Sequence, residues 1–450
     1  MILKSFKRNI AAGCLCLLMT AVLLTGCGGL YIVRPESAET GRRVEPIPEQ
    51  ERSESGEYTP SYMDSIGNAQ FPSSYGLEDD WGGSDDYDVE SKEDSSGIDS
   101  LVYFTPEQLQ VGYTNNAGKY AYEHLTEEGR KVYNQMYLAL ITMSSNIGID
   151  CFDVDAINMI FTCVMMDHPE IFWTSGYVYT RYTRGESMEA MGFKGTYTMD
   201  ANTVGQRQDA IDYYVSAALS GMPGGDDYTR IKYIYEYIIK NTEYDLNAVD
   251  NQNICSVFIN GRSVCQGYAK ATQYLCERVG IQCSLITGTT TQDGNHAWNL
   301  VYSDGEYYYV DTTWGDANYR SENEEAGSMP SISYDYLCVP AYEMFLTHYP
   351  NAPVELPACD SIADNYYVRE GAYFTYPDEA GLQAVFDKAY AQGKEFVAIK
   401  TSDAVSYQSV KAYLLDNQNI FRIMGSRKSG NTISFWENQD AFTISFKLDN

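Results

Sequence analysis

A cysteine near the middle of the chain has the surroundings of a reactive thiol. The turn-forming pair Asn260-Gly261 precedes Cys265, and a helical pattern follows it. The apolar face of that predicted helix consists of Tyr268, Ala271, Leu275 and Val279, and Gly280 is suited to end it. The free N–H groups and the positive dipole end of a helix N-terminus favour the thiolate, the nucleophilic form of cysteine. The sequence therefore predicts that Cys265 is a nucleophile.

A predicted β-hairpin downstream carries a histidine and an aspartate. Two strand patterns flank Asp304-Gly305, a pair that indicates a hairpin turn in this setting. With these two as the loop residues, His296 and Asp311 become diagonal neighbours on one face, ~7 to 8 Å apart at the backbone. An imidazole there can take the thiol proton, and a carboxylate can hold the imidazole's tautomer. The three residues are thus predicted to form an acyl-transfer triad.

Other interpretations of these residues stay open. Asp316 is a second candidate for the carboxylate, although it lies beyond the strand pattern. The triad residues could instead bind a metal, but a fourth ligand and the usual ligand spacings are missing, so we predict no metal and no cofactor. We expect small buried hydrophobic roles for the cysteines Cys151, Cys163, Cys276 and Cys283. We expect structural or exposed positions for the histidines His124, His168 and His348.

Three short segments around the triad resemble the sequence blocks of the transglutaminase-like superfamily: VCQGYA, NHAWN and YYYVDTTW. The resemblance covers about residues 227–316. It implies an α+β, papain-like fold with Cys265 as nucleophile, His296 as general base and then acid, and Asp311 as orienting carboxylate. Candidates for the oxyanion donor are the backbone N–H of Cys265 and an upstream side chain such as Tyr244. The calcium dependence of some animal members does not carry over.

The remaining sequence predicts a helical flank, a core and an accessory domain. Helices are expected from Thr126, from Asp155 to Pro169 and near residues 209–219, which makes 101–225 a mainly helical flanking region. The core, 226–350, begins with an amphipathic helix whose apolar face is Ile231, Ile234, Tyr235 and Ile238. Residues 351–450 predict an α+β domain with helices at 378–391 and near 405–415 and strands at 396–400 and near Ile420, Ile433 and Phe442.

The N-terminus has the features of a secretory signal. Basic residues precede an apolar stretch, Ile10 to Leu24, which is shorter than the ~20 residues of a membrane-spanning helix, although an anchor helix stays an alternative. The ending Leu24-Thr25-Gly26-Cys27 resembles the lipobox of bacterial lipoproteins, which implies diacylation of Cys27. We therefore expect residues 1–27 to be a lipoprotein signal and the mature protein to be lipid-anchored on the extracytoplasmic face of a bacterial cell membrane.

Charge and composition limit the classes of partner. The chain has 44% hydrophobic residues, enough for a sizeable core, but its net charge of −31 repels phosphate backbones, so nucleic acid is not expected to bind. Residues 28–100 are rich in Asp, Glu, Ser, Gly and Pro and predict an acidic disordered linker.

These observations favour a cell-surface enzyme that attacks an amide carbonyl of a protein or peptide, wall peptides included, and forms a thioester. A cysteine peptidase or amidase is the first alternative, because cleft shape decides whether water or an amine reaches the thioester. A non-catalytic surface-binding lipoprotein is the second.

Overall fold

The computed structural model describes residues 30–33, 90–92, 95–184, 187–292, 294–320, 330–428 and 430–449. The predicted signal, Cys27 and most of the predicted linker lie outside these residues and stay predictions. Where the linker is described, the prediction of disorder is wrong, because 30–33 and 90–92 are strands and 95–100 is a 3₁₀ turn. Within the described residues, the helices are all too short or too polar to cross a bilayer.

The flanking region combines helices with one long hairpin. In chain order, the elements that precede the core are β1 (Leu30–Val33), β2 (Glu90–Lys92), a 3₁₀ turn (Ser95–Ser100), α1 (Pro106–Asn116), α2 (Tyr120–Glu123), α3 (Glu127–Ile141), β3 (Ile147–Gly148), α4 (Val154–Asp167), β4 (Thr174–Arg184), β5 (Ser187–Tyr197) and α5 (Ala201–Ser220). Thr126 caps α3 as predicted, because its side chain accepts a hydrogen bond from the backbone N–H of Gly129. Strands β2, β4, β5 and β3 form one sheet in that order.

The core places one buried helix against a five-stranded sheet. Its elements are α6 (Asp227–Asn241), β6 (Glu243–Tyr244), a π turn (Ser256–Asn260), β7 (Arg262–Ser263), α7 (Cys265–Arg278), β8 (Cys283–Thr290), β9 (Gly294–Ser303), β10 (Glu306–Val310), α8 (Thr312–Gly315), α9 (Ala317–Arg320), β11 (Leu337–Val339), α10 (Ala341–Met344) and β12 (His348–Pro350). The sheet order is β11-β10-β9-β8-β12, and its paired strands are antiparallel. The predicted α+β fold is confirmed.

The C-terminal part adds a second five-stranded sheet, in the order β1-β15-β16-β14-β13. Its elements are α11 (Tyr366–Glu370), β13 (Tyr373–Phe374), α12 (Glu379–Ala391), β14 (Phe396–Thr401), α13 (Ala404–Lys411) followed by a π turn (Ala412–Asp416), α14 (Asn419–Met424), a 3₁₀ turn (Gly425–Arg427), β15 (Thr432–Asn438) and β16 (Thr443–Lys447). The strand predicted near Ile420 is wrong, because Ile420 lies in α14. A short buried apolar run has no periodicity that separates a strand from a helix.

Buried side chains connect the three parts. One continuous hydrophobic cluster includes Phe161 of the flank, Tyr268 of the core and Phe386 of the C-terminal part. A buried ion pair, Lys400 with Glu343 at 3.0 Å, also links the C-terminal sheet to the core. The core sheet and α7 are therefore held on a packed support.

Candidate active site

Cys265 is the first residue of α7, at the helix N-terminus as predicted. No side chain caps this end of the helix, and the preceding residue, Val264, has extended backbone. The backbone N–H groups of the first turn therefore remain available to a ligand. The Cys265 side chain is partly exposed, and among the eight free cysteines of the described residues only Cys151 shares that property. The sulfur can thus be reached from solvent.

Close packing fixes the segment that leads into Cys265. A Cβ atom at Gly267 would lie 1.9 Å from the Ser263 hydroxyl and 2.9 Å from that of Ser256, so only glycine fits there. The two serine hydroxyls are themselves 2.6 Å apart and hydrogen-bonded. The turn before Cys265 therefore rests directly on the first turn of α7.

The hairpin has the register that the sequence predicts. Ser303 pairs with Glu306, and pairing continues to Asn299 opposite Val310. The Asn299 side chain donates to the Ala269 carbonyl at 2.9 Å, which ties β9 to α7. This bond holds the strand that carries His296 against the helix that carries Cys265.

The structure brings the three predicted residues together. His296 Nε2 lies 2.7 Å from Asp311 Oδ2, and both side chains are buried. The Cys265 thiol lies close enough to His296 to contribute, after Asp311, to the raised pKa of the ring. Because Nε2 faces the carboxylate, Nδ1 is the ring nitrogen left to face the sulfur. A thiol, an imidazole and a carboxylate therefore form one chain of contacts.

Electrostatics favour a positive His296 beside a negative Asp311. Burial alone would lower the pKa of His296, but the Asp311 carboxylate, with a further contribution from Cys265, raises it to about 10. Burial likewise opposes the charged carboxylate, yet His296 and His348 hold the pKa of Asp311 well below its usual range. At neutral pH the pair is an imidazolium and a carboxylate.

Backbone groups fix the other carboxylate oxygen. Asp311 caps the short helix α8, where its Oδ1 accepts from the N–H of Thr313 at 2.9 Å and of Trp314 at 3.1 Å. The rival carboxylate, Asp316, instead accepts from the Tyr268 hydroxyl at 3.0 Å. The carboxylate that contacts His296 is thus the one predicted.

Tyr244, the upstream side chain that the sequence suggests as an oxyanion donor, lies beside the segment that precedes Cys265. Tyr244 lies in β6 and pairs with Ser263, two residues before Cys265, and its ring packs on Tyr319 at 4.3 Å. The strand pairing brings Tyr244 beside the segment that leads into Cys265. The uncapped N–H groups at Cys265 itself remain the simpler donors.

A second histidine, His348, belongs to this site and was not predicted. Its Nε2 lies 3.1 Å from Asp311 Oδ2, and its side chain is fully buried. The sequence predicts a structural or exposed position for His348; the structure buries it and adds a contact with Asp311 that the sequence does not indicate. Strand β12 is three residues long and pairs with the distant β8, so no local pattern marks it. The only available signal was the rarity of histidine, with four in the chain.

His296, Asp311 and His348 each bring one possible metal-ligand atom within 4.8 Å of the others. These donor types suit a transition metal. In the structure, hydrogen bonds of 2.7 and 3.1 Å already join both rings to the carboxylate. The facing ring nitrogens and the carboxylate oxygen therefore already have hydrogen-bond partners in one another.

Comparisons with known proteins place this region in a family. Residues 219–312, which include all three predicted triad positions, match the model of the transglutaminase-like superfamily. Kyphoscoliosis peptidase from Homo sapiens is 29% identical over 105 residues, which cover 20% of this chain and only 16% of that protein. A solved structure of a TGase aligns with 14% identity and a TM-score of 0.24, covering 35% of this chain and 50% of that chain. A structure described as a candidate cysteine protease from Cytophaga hutchinsonii aligns with 18% identity and a TM-score of 0.21, covering 28% and 51%. The chain therefore contains a transglutaminase-like domain.

Proposed function

We propose that this protein is a cysteine enzyme that transfers an acyl group from an amide through a thioester on Cys265. One observation carries the proposal: buried His296 is hydrogen-bonded to Asp311 at 2.7 Å and lies beside the partly exposed Cys265 at the N-terminus of α7. The match of residues 219–312 to the transglutaminase-like superfamily supports enzymatic activity in general.

The contacts suggest how each residue acts. The Cys265 thiolate attacks the amide carbonyl carbon, and the oxyanion accepts hydrogen bonds from uncapped N–H groups at the start of α7. The His296 imidazolium gives its proton to the departing amine as the carbon–nitrogen bond breaks, which leaves the acyl group on sulfur. Neutral His296 then takes a proton from the incoming amine or water, and the thiolate leaves. Asp311 keeps the ring oriented throughout.

Hydrolysis is the second candidate outcome. The same triad performs both reactions, and access of water or amine to the thioester decides between them. The matched relative that is named a peptidase favours hydrolysis of a peptide bond. An amine label that becomes incorporated into protein would identify transfer, whereas new termini or ammonia would identify hydrolysis.

We also propose a place of action. The lipobox-like ending at Cys27 supports attachment to the outer face of a bacterial membrane, where protein and wall peptides are accessible. Labelling of the protein by a clickable fatty acid, lost in Cys27→Ala, would test this part separately from the chemistry. Label that persists in the variant would contradict it.

Two cysteines of similar exposure allow a controlled test of the nucleophile. Soluble protein starting after Cys27 is treated with a thiol-reactive amide mimic across a pH series, and mass spectrometry locates the modified residue. We expect Cys265 to react faster than Cys151 across the series, because the uncapped N-terminus of α7 stabilises a thiolate at Cys265. In Cys151, burial raises the pKa.

The matched variants are Cys265→Ala and Cys151→Ala. The first should abolish both rapid labelling and turnover while the far-UV circular dichroism stays unchanged, and the second should leave both activities intact. Equal, slow labelling of the two cysteines would contradict the proposal and favour a non-catalytic surface-binding protein built on the same fold.

A further inference from the structure

His348 contacts the triad carboxylate from the far edge of the core sheet. Asp311 Oδ2 faces two imidazole nitrogens, His296 Nε2 at 2.7 Å and His348 Nε2 at 3.1 Å. Its Oδ1 faces the backbone N–H groups of Thr313 and Trp314. Four donors therefore surround one buried carboxylate, namely two imidazole rings and two backbone N–H groups.

The hydrogen bonds around His348 show that it donates to Asp311. The Thr347 hydroxyl lies 2.8 Å from His348 Nδ1 and 3.4 Å from the Met344 carbonyl. If the hydroxyl donates to Nδ1, the neutral ring carries its proton on Nε2. If it donates to the carbonyl instead, Nδ1 donates to the hydroxyl. In this second case Nε2 must also carry a proton, because an unprotonated nitrogen 3.1 Å from a carboxylate oxygen would be repelled by it.

A glycine in β8 allows close packing between the two strands that carry the histidines. Gly288 pairs with His296 on one side and with Pro350 on the other. A Cβ atom at Gly288 would lie 2.2 Å from the Tyr349 carbonyl oxygen and 2.7 Å from the Trp298 ring. The missing side chain lets β12 and the Trp298 indole close over β8.

Aromatic rings hold His348 in one orientation. Its ring centroid lies 4.5 Å from that of Trp314, 5.0 Å from Trp298 and 5.4 Å from Tyr336. The His296 ring is 5.5 Å away. The ring is therefore packed on several sides and aimed at the carboxylate.

We infer that His348 is a positioning residue that acts through Asp311: it holds Oδ2 in line with His296 and shares the carboxylate's charge. This inference rests on the proposed function. A carboxylate bound by His296 alone would hold the imidazolium proton more tightly. His296 must give that proton to the leaving amine and be neutral when the thioester breaks down. His348 thereby keeps His296 able to exchange its proton.

The test separates attack by the thiolate from the proton-transfer step. The probe p-nitrophenyl acetate acetylates a thiolate without needing a proton on its leaving group, whereas hydrolysis of the acetyl thioester needs His296 as base. Stopped-flow kinetics would give the burst rate and the deacylation rate for wild type, His348→Leu and His348→Gln. The control is His168→Leu, which removes another buried histidine that pairs with a carboxylate, Glu170, outside the site.

We expect His348→Leu to slow deacylation about tenfold or more, which is the loss expected for one hydrogen bond to a charged group. The burst rate should stay within about twofold of wild type. His348→Gln, which can still donate an N–H, should recover most of the rate, and His168→Leu should match wild type. Nitrogen-15 spectra of the imidazole rings should show that His296 keeps its proton to higher pH in His348→Leu.

Each contrary result has a distinct meaning. A burst located at Cys265 with equal deacylation in all variants would overturn the role of His348 alone. No burst at Cys265 in wild type would overturn the proposed function and this inference with it. Equal loss of burst and deacylation in the Leu and Gln variants would show that His348 serves only to support the fold. If the Leu variant does not fold, His348→Phe takes its place, because it keeps an aromatic ring at this position but cannot donate to Asp311. Unchanged deacylation in that variant would contradict the inference.

Discussion

Two buried histidines of this protein each contact a carboxylate, yet only one of the pairs has the surroundings of an active site. In the flank, His168 Nδ1 lies 2.7 Å from Glu170 Oε1, and in the core His296 Nε2 lies 2.7 Å from Asp311 Oδ2. The two hydrogen bonds have the same length, and both rings are buried. The difference must therefore come from the groups around each pair.

The second ring nitrogen shows that difference. His168 Nε2 is buried without a hydrogen-bond partner in the described part of the chain, and its ring stacks on Tyr137 at 4.4 Å. The ring of His296 contacts the Cys265 sulfur at the end of a helix. The carboxylates also differ, because Asp311 is clamped by four donors and Glu170 is about one-third exposed. A histidine–carboxylate pair becomes a candidate catalyst only when a reachable nucleophile completes it.

Replacing each carboxylate by its amide should give the largest contrast. In Asp311→Asn, the amide oxygen is needed by the N–H groups of Thr313 and Trp314, so its NH₂ faces His296 Nε2. The ring must then carry its proton on Nδ1, where it cannot accept one from Cys265. We expect turnover to fall by up to ~10⁴-fold, whereas Glu170→Gln should leave turnover unchanged.

The measurement is steady-state turnover with rates of Cys265 labelling for both variants and wild type. Equal turnover in Asp311→Asn and wild type would remove the carboxylate from the mechanism. A large loss in Glu170→Gln would show that the flank pair also supports the chemistry, and the contrast between the two regions would no longer hold.

The second prediction concerns the pH dependence of stability. The pKa of His296 is raised from 6.5 in the unfolded reference to about 10 in the folded protein. The contribution of His296 to the free energy of unfolding should therefore be fully present below pH 6.5 and be lost as the pH rises through about 10. The pKa of Asp311 is lowered from 3.8, so its contribution should be present above that pH and be lost at lower pH.

Urea unfolding of wild type and Asp311→Asn at a series of pH values would test this. The difference in the free energy of unfolding should be largest between about pH 4 and 6.5 and should shrink on both sides. A difference that does not change with pH would mean that the pair is not ionic in the folded protein.

The sequence predicts the parts of the site that depend on local signals. Asp304 and Gly305 have positive φ, as a tight hairpin turn requires, and this turn sets the register that brings His296 and Asp311 together. Gly280 has a φ of 80° and ends the helix that begins at Cys265. In both places the residues that determine the backbone are adjacent to the residues they position.

The features that sequence reasoning misses depend on distant contacts. His348 reaches Asp311 only because β12 joins the edge of the sheet beside β8. The strand predicted near Ile420 is a helix whose buried residues include Phe421, Ile423 and Met424. Tertiary packing decides both cases, and the short segments themselves carry too few residues for a period to be recognised.

The smallest expected effects concern two glycines, Gly288 in the core and Gly205 in the flank. They test whether the strands around His296 need the close packing that a glycine allows. In Gly288→Ala, the new methyl group would overlap the Tyr349 carbonyl oxygen and the Trp298 ring, so β12 must shift away from β8. We expect a loss of about 1 to 3 kcal/mol in the free energy of unfolding. Deacylation should slow as well, since the shift moves His348 away from Asp311.

The matched control is Gly205→Ala in α5 of the flank, where a Cβ atom would have open space around it. Alanine in a helix interior should raise stability by roughly 0.5 to 1 kcal/mol, without any change in turnover. Urea unfolding and deacylation kinetics on both variants provide the comparison. If Gly288→Ala were as stable and as active as wild type, the close approach of β12 over β8 would not be needed. His348 could then contact Asp311 without a glycine at this position of β8.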